Sequence, residues 1–370
     1  VFGTRSFARL GALIPPEARI LLLYGGGSIK RNGVYDQVMQ ALAGRQVLEF
    51  AGVEPNPTVE TLDQAVALIR KEGLDYILAV GGGSVIDGSK YVAAAACYDG
   101  DGWDILVGKH RVKQALPLGA VLTLPATGSE SNNGAVITRK ATKEKLVFSS
   151  SAVFPRFAVL DPDVIKSLPE RQVANGLADA FVHVCEQYLT FPVQAWVQDG
   201  YAETLLHNLV NLARQFPQRD NDSWRANFMW TANQALNGLI GAGVPQDWAT
   251  HMIGHELTAL HGLTHGATLA IVINGTLRVL REQKRGKLLQ YGERIWGIAD
   301  GSEEERIDRT LEATKKFFRS LGLSTRLSEE GIGETTIAEI ERRFNASGVK
   351  YGEAQNVDGA AARRILEACM

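Results

Sequence analysis

The sequence predicts an N-terminal α/β domain, built on a mostly parallel sheet with helices on its faces, and an all-α C-terminal domain after it. Three observations lead there. Up to about residue 165 short apolar runs alternate with amphipathic stretches, two of those runs end in glycine triplets, and after Asp161-Pro162 long helical segments follow with few β-branched runs. At 370 residues the chain is also too long for one small core and suits about two domains, placed here at 1–165 and 166–370.

Strands are expected at Arg19–Tyr24 (RILLLY), Gln46–Phe50, 75–80 (DYILAV), 119–124 and 157–160, each bounded by Gly, Pro or charged residues. The clearest helix between them covers 58–71. Asn56 is a candidate cap for it, and Pro57 falls where the first turn has no donor to lose. No internal repeat or low-complexity segment interrupts this order.

Composition excludes several functions. Hydrophobic residues make up 45% and charged residues 22%, and the formal net charge is -2, so no basic excess points to nucleic acid. No run reaches the roughly 18 apolar residues of a spanning helix, and no membrane partner is expected. Cys97, Cys185 and Cys369 are odd in number and widely spaced, which fits neither a disulfide framework nor a zinc ribbon and favours the cytoplasm. The chain starts at Val1 rather than Met, so residues before it are expected.

Gly81-Gly82-Gly83-Ser84 follows DYILAV directly and opens the Ala-rich helical segment 90–96. Glycines at a strand-to-helix turn let the backbone approach a phosphate, which the free N–H groups of the helix start then bind. A tight turn is the alternative, since GGGS is neither G-x-G-x-x-G nor a Walker loop. Gly25-Gly26-Gly27-Ser28 ends the first strand in the same way, with Lys30 and Arg31 just beyond. No acid sits at this strand tip. An acid there would repel a 2'-phosphate and a basic pair would accept one, so NADP(H) is favoured over NAD, with a solvated Gly-rich loop as the alternative. Segment 122–133 (LTLPATGSESNN) offers Thr123, Thr127 and Ser129 as further donors, or as a self-capped loop.

Five of the seven histidines lie in the helical half near one another or near an acid. Asp179 and His183 are at i and i+4, on one helix face and within reach of one ion, whereas Cys185 points roughly 200° away. HMIGHELTALHGLTHG holds His251, His255, His261 and His265. Gly262 and Gly266 suggest that the helix ends before His265, which would fold back beside its last turns. Three imidazoles and a carboxylate suit a divalent Zn(II) or Fe(II) and disfavour Ca or Mg. For any one histidine a satisfied core residue is the alternative. The zincin motif H-E-x-x-H is absent, because Met252 stands in the glutamate position.

With these motifs the chain resembles the iron-containing (group III) alcohol dehydrogenase family over almost its whole length. The resemblance rests on GGGS followed by Asp87 and Lys90, on ATGSE at 126–130, on Asp179-x3-His183 and on His251-x3-His255-x9-His265. It implies a Rossmann-like nucleotide-binding domain and a helical domain with the active site in the cleft between them, a fold shared with dehydroquinate synthase. It also implies metal ligation by Asp179, His183, His251 and His265, and a place near the nicotinamide for His255. Cofactor contacts are implied at Gly82, Gly83, Ser84, Asp87, Thr123, Thr127, Ser129 and Lys145. NAD-preferring members carry aspartate at the position of Gly26, so Gly26 and Ser28 join the contacts of an NADP(H) site. YGGGSIKRNG, LPATGSESN and NGLIGAGVPQDWATHMIGHELTALHG look closest to the NADPH-dependent butanol dehydrogenase and broad-range aldehyde reductase branch. The family begins with a strand before the segment matching Val1, and His261 matches none of its ligands.

The expected reaction is metal-assisted reduction of short-chain aldehydes to primary alcohols, such as butanal to butanol, and the resemblance implies a homodimer. His255 is the candidate catalytic residue, relaying a proton. The alternative is a metal- and NAD-dependent lyase of the dehydroquinate synthase type, which would carry several basic residues for an anionic substrate in its helical domain.

Overall fold

The computed structural model describes residues 1–370. It has seven strands: β1 (Arg19–Tyr24), β2 (Gln46–Phe50), β3 (Tyr76–Gly82), β4 (Leu118–Leu124), β5 (Gly134–Arg139), β6 (Glu144–Ser149) and β7 (Ala158–Leu160). The helices of the N-terminal part are α1 (Leu10–Leu13), α2 (Ser28–Arg31), α3 (Val34–Ala41), α4 (Val59–Glu72), α5 (Gly83–Ala95) and α6 (Trp103–Leu106). The rest is helical: α7 (Glu170–Tyr188), α8 (Trp196–Arg214), α9 (Asp222–Ala235), α10 (Ala249–His261), α11 (His265–Val279), α12 (Arg285–Trp296), α13 (Glu303–Ser320), α14 (Glu334–Ser347) and α15 (Gly359–Glu367).

Two compact units result. The first comprises Val1–Pro169 and Asp220–Asn233, and the second Glu170–Arg219 and Gln234–Met370. Segment Asp220–Asn233, most of α9, thus joins the first unit from beyond the boundary expected at residue 165.

In the first unit five strands form a parallel sheet in the order β2-β1-β3-β4-β7. Ile20 to Tyr24 and Tyr76 to Val80 are all buried, which is why these strands read as unbroken apolar runs rather than as alternation. β5 and β6 make a separate antiparallel hairpin that the apolar runs do not announce. α4 begins one residue later than expected, and Asn56 does not cap it. Thr58 occupies the cap position in extended conformation, while Asn56 takes a positive φ of 58° and its side chain accepts from Lys145.

The second unit packs around α11, whose sequence HGATLAIVINGTLRV is apolar nearly all round, as a central helix must be. Ile253 and Leu257 of α10, Ile271 and Val272 of α11, Ile340 of α14 and Ile365 of α15 share one core. α13 is amphipathic instead, and starts with a reciprocal Ser302–Glu305 capping box. No helix is long and apolar enough to cross a membrane.

Candidate functional site

A cluster of metal-binding side chains forms in the second unit. Asp179 and His183 lie one turn apart on α7, both buried. α10 contributes His251, then ends at Gly262, whose φ of 71° is the left-handed turn that glycine tolerates. His265 does not fold back from a loop, as the sequence suggested; it is the first residue of α11. Gly266 is there for a close approach rather than as a terminator. A Cβ on it would stand 2.3 Å from the Asn175 carbonyl oxygen, so only glycine lets the start of α11 press onto α7 one turn before Asp179.

Asp179 Oδ1 lies 3.3 Å from His183 Nε2, 3.6 Å from His265 Nε2 and 3.8 Å from His251 Nε2. The four ligand atoms are all within 4.8 Å of one another. An ion held tetrahedrally at about 2.0–2.2 Å sets its ligands about 3.3–3.6 Å apart, so the spacing fits. Asp179 Oδ1 and His251 Nε2 are buried and have no hydrogen-bond partner. Buried polar atoms so placed are costly, and a cation among them meets the need of both. His265 is the least buried of the four, at 22% side-chain exposure, and is where solvent reaches the cluster.

Glu186, which the sequence reading passed over, stands behind this set. Its carboxylate accepts the backbone amides of Thr250 at 2.7 Å and His251 at 3.2 Å, and makes a short contact with His251 Nδ1. Pairing Nδ1–H with a carboxylate fixes the tautomer that leaves Nε2 free to ligate. Burial opposes a charge on His251, but Glu186 and Asp179 outweigh it and push the pKa up to about 9. The signal was present in the spacing, since Asp179, His183 and Glu186 are at i, i+4 and i+7 on one helix face. His255 is buried outside the four, its ring 5.3 Å from that of His265 and 6.4 Å from that of His251. His261 is exposed and meets Thr336 Oγ1 at 2.9 Å.

The glycine turns belong to the first unit. β3 passes into α5 without a loop, so the helix begins at Gly83, well before the Ala-rich segment. Packing accounts for two of these glycines: a Cβ on Gly81 would meet Val85 at 2.5 Å, and one on Gly83 would meet Thr127 at 2.4 Å. Gly82 and Ser84 are half-buried at the turn, and Ser84 Oγ accepts the Asn56 amide at 3.3 Å. Lys145 reaches the same place by donating to Asn56 Oδ1 at 3.0 Å. Thr123 and Thr127 are half-buried at the end of β4 and just after it.

Asp87 and Ser129 turn inward. Ser129 Oγ donates to Asp87 Oδ1 at 2.5 Å, and Asp87 Oδ2 accepts the Val136 amide at 2.9 Å. Lys90, wholly buried, donates to Ser129 Oγ, Asn132 Oδ1 and the Gly134 carbonyl at 2.7–3.0 Å. Burial pushes its pKa down to about 8 against the pull of Asp87 and Glu130. These groups are therefore the frame of the 127–134 loop rather than its exposed donors.

At the first turn Gly26 is exposed, and nothing lies within 4 Å of the Cβ it lacks. Ser28 is exposed at the start of α2. Lys30 and Arg31 are not an equal pair. Glu49, near the end of the neighbouring β2, accepts from Lys30 at 2.9 Å and from the hydroxyls of Tyr24 and Tyr35. Lys30 is thus neutralised and lies over both tyrosine rings, while Arg31 is exposed and pairs with no carboxylate.

Glycine-tipped parallel strands in one unit, and a buried three-histidine, one-carboxylate cluster in the other, are the parts of a nucleotide-linked metallo-oxidoreductase. Comparison with known proteins agrees. Residues 1–162 match the model of the iron-containing alcohol dehydrogenases, and residues 173–367 match that of the C-terminal part of the same family. The NADPH-dependent aldehyde reductase YqhD of Escherichia coli K12 is 53% identical, over 100% of this chain and 96% of that protein. NADH-dependent butanol dehydrogenase A of Clostridium acetobutylicum is 39% identical, over 86% and 83% of the two chains. Among solved structures, E. coli YqhD superposes with a TM-score of 0.98 over 100% of this chain and 96% of the other, at 53% identity. NADH-dependent butanol dehydrogenase A of Thermotoga maritima does so with a TM-score of 0.95 over 100% and 96%, at 36% identity. The chain belongs to the iron-containing alcohol dehydrogenase family. It is an oxidoreductase of the alcohol and aldehyde dehydrogenase type, working with a nicotinamide nucleotide and a metal, and the lyase alternative is not favoured.

Proposed function

We propose that this chain reduces short-chain aldehydes, such as butanal, to primary alcohols with NADPH and one divalent ion, Fe(II) or Zn(II), and runs the reverse oxidation with NADP+. The observation that carries the reading is the convergence of Asp179, His183, His251 and His265 on one point at ligand spacing. When bound, the ion supplies Lewis-acid polarisation of a carbonyl oxygen. One carboxylate and three neutral imidazoles would leave a divalent ion with net positive charge, which that role requires. Glu186 holds His251 in the ligating tautomer. His255, buried beside His265, is the proposed proton relay.

Gly26, Ser28, Gly82, Gly83, Ser84, Thr123, Thr127 and Lys145 are the proposed cofactor contacts, with Asp87 and Ser129 supporting them from behind. Preference for NADP(H) is supported by the open space at Gly26, the unpaired Arg31 and the covered charge of Glu49. Three free cysteines suit a cytoplasmic enzyme, and a homodimer is the assembly that the family resemblance favours.

The test is the fall of NADPH absorbance on adding butanal, run in parallel with NADH. Asp179→Ala and His265→Ala are expected to lose metal and aldehyde reduction together. Full activity in a demonstrably metal-free variant would overturn the reading.

A further inference from the structure

Lys284 stands immediately before α12 and is only 2% exposed. Its ammonium donates to the Leu189 carbonyl at 2.7 Å, to Asp247 Oδ2 at 2.5 Å and to Glu353 Oε1 and Oε2 at 2.9 and 2.8 Å. A buried ammonium is tolerated only where its donors are all met, and here they are. What it joins is specific. Leu189 is the first residue after α7, the helix of Asp179, His183 and Glu186. Asp247 lies just before α10, the helix of His251 and His255, and its Oδ1 accepts the Ala249 amide at 2.8 Å. The Asp247 amide in turn donates to the Glu186 carbonyl at 2.8 Å.

Along this side α7 and α10 are thus linked by a short polar chain. Lys284 ties Leu189 to Asp247, Asp247 bonds Glu186, and Glu186 bonds Thr250 and His251. We propose that Lys284 is a positioning residue for the metal site: by pinning the end of α7 to the start of α10, it sets the spacing at which His183 and His251 meet. Those two rings stack with centroids 4.7 Å apart, so a small slide of one helix along the other takes a ligand atom out of range. Glu353, on the 351–357 turn, accepts from Lys284 and shares a hydrogen bond with the Asp247 carboxyl, but it does not itself join α7 to α10, which gives it a smaller expected effect.

The proposal rests on the reading of the Asp179 cluster as a metal site, and the experiment separates the two. Wild type, Lys284→Met and Glu353→Gln, each as the full chain, are titrated with Zn(II) against a chromogenic chelator, and their Co(II) forms are compared by visible absorption. Lys284→Met is expected to bind Zn(II) at least tenfold more weakly, with a changed Co(II) ligand-field spectrum and unchanged NADPH binding by fluorescence. Glu353→Gln is expected to stay within about threefold of wild type.

Should Lys284→Met fail to fold, the triple variant Lys284→Met, Asp247→Asn, Glu353→Gln removes the buried charges together and keeps an oxygen for the Ala249 amide. The same loss of affinity is expected of it. Zn(II) affinity and Co(II) spectra like those of wild type, in either folded variant, would overturn the positioning role. A wild type that binds neither ion would overturn the metal reading itself, and this proposal with it.

Discussion

Glu186 is the most exacting place to test how the cluster is held. Truncation to Ala removes the acceptor for the Thr250 and His251 amides inside the second unit. Each buried amide left unpaired costs roughly 1–3 kcal/mol, so Glu186→Ala is expected to lose about 2–6 kcal/mol. Against a total stability on the order of 5–15 kcal/mol, that is a large share, and it confounds a metal-binding readout with loss of fold. Glu186→Gln is the informative change. If its carbonyl stays on the Thr250 amide, its NH2 group meets His251 Nδ1 and favours the tautomer protonated at Nε2, which cannot ligate. Loss of such a supporting carboxylate weakens metal binding by about 10–100-fold, or about 1.4–2.7 kcal/mol. Chelator competition measures this directly, and thermal melting of the metal-free protein shows whether the fold is intact. A folded Glu186→Gln that binds Zn(II) within twofold of wild type would refute the reasoning.

Gly26→Asp meets no steric obstacle, and a carboxylate beside a 2'-phosphate is repelled by about 1–4 kcal/mol; the KM for NADPH should rise at least tenfold with NADH little affected, and an unchanged ratio would argue against the 2'-phosphate assignment. Gly266→Ala drives a methyl into the backbone of Asn175, an overpacking expected to cost about 1–3 kcal/mol and to weaken Zn(II) binding, both absent if α11 can shift freely. Cys185 and Cys369 are buried, with thiols pushed up by that burial, while Cys97 is exposed. A thiol reagent should therefore titrate one group per native chain and three after unfolding, and fast labelling of more than one would contradict the packing.

The parallel strands were legible because strands buried on both faces leave unbroken apolar runs, as RILLLY and DYILAV do. The β5–β6 hairpin was not, because its turn carries none of the usual glycine or asparagine; Lys143 takes the positive φ of 52° instead. In the helical part, histidine spacing located the cluster, but the same residues left two meanings open. Gly266 reads as a helix end when it is in fact a point of contact. Glu186 reads as an ordinary helical acid, because its partners come from a segment that follows it by more than sixty positions in the chain. Lys284, Asp247 and Glu353 are likewise far apart in sequence, and nothing local marks them as one group.

The ligands of the cluster come from three helices, and Gly266 brings the last of them into place only when α11 is seated on α7. An unfolded chain holds no trace of such a site, so an ion bound there stabilises the native state alone. At a thousandfold excess over its dissociation constant it would add about 4 kcal/mol, a large share of what holds such a chain together. Resistance of this protein to heat and to proteases would then follow the supply of metal, and starvation for the ion would remove the enzyme from the cell as well as silence it.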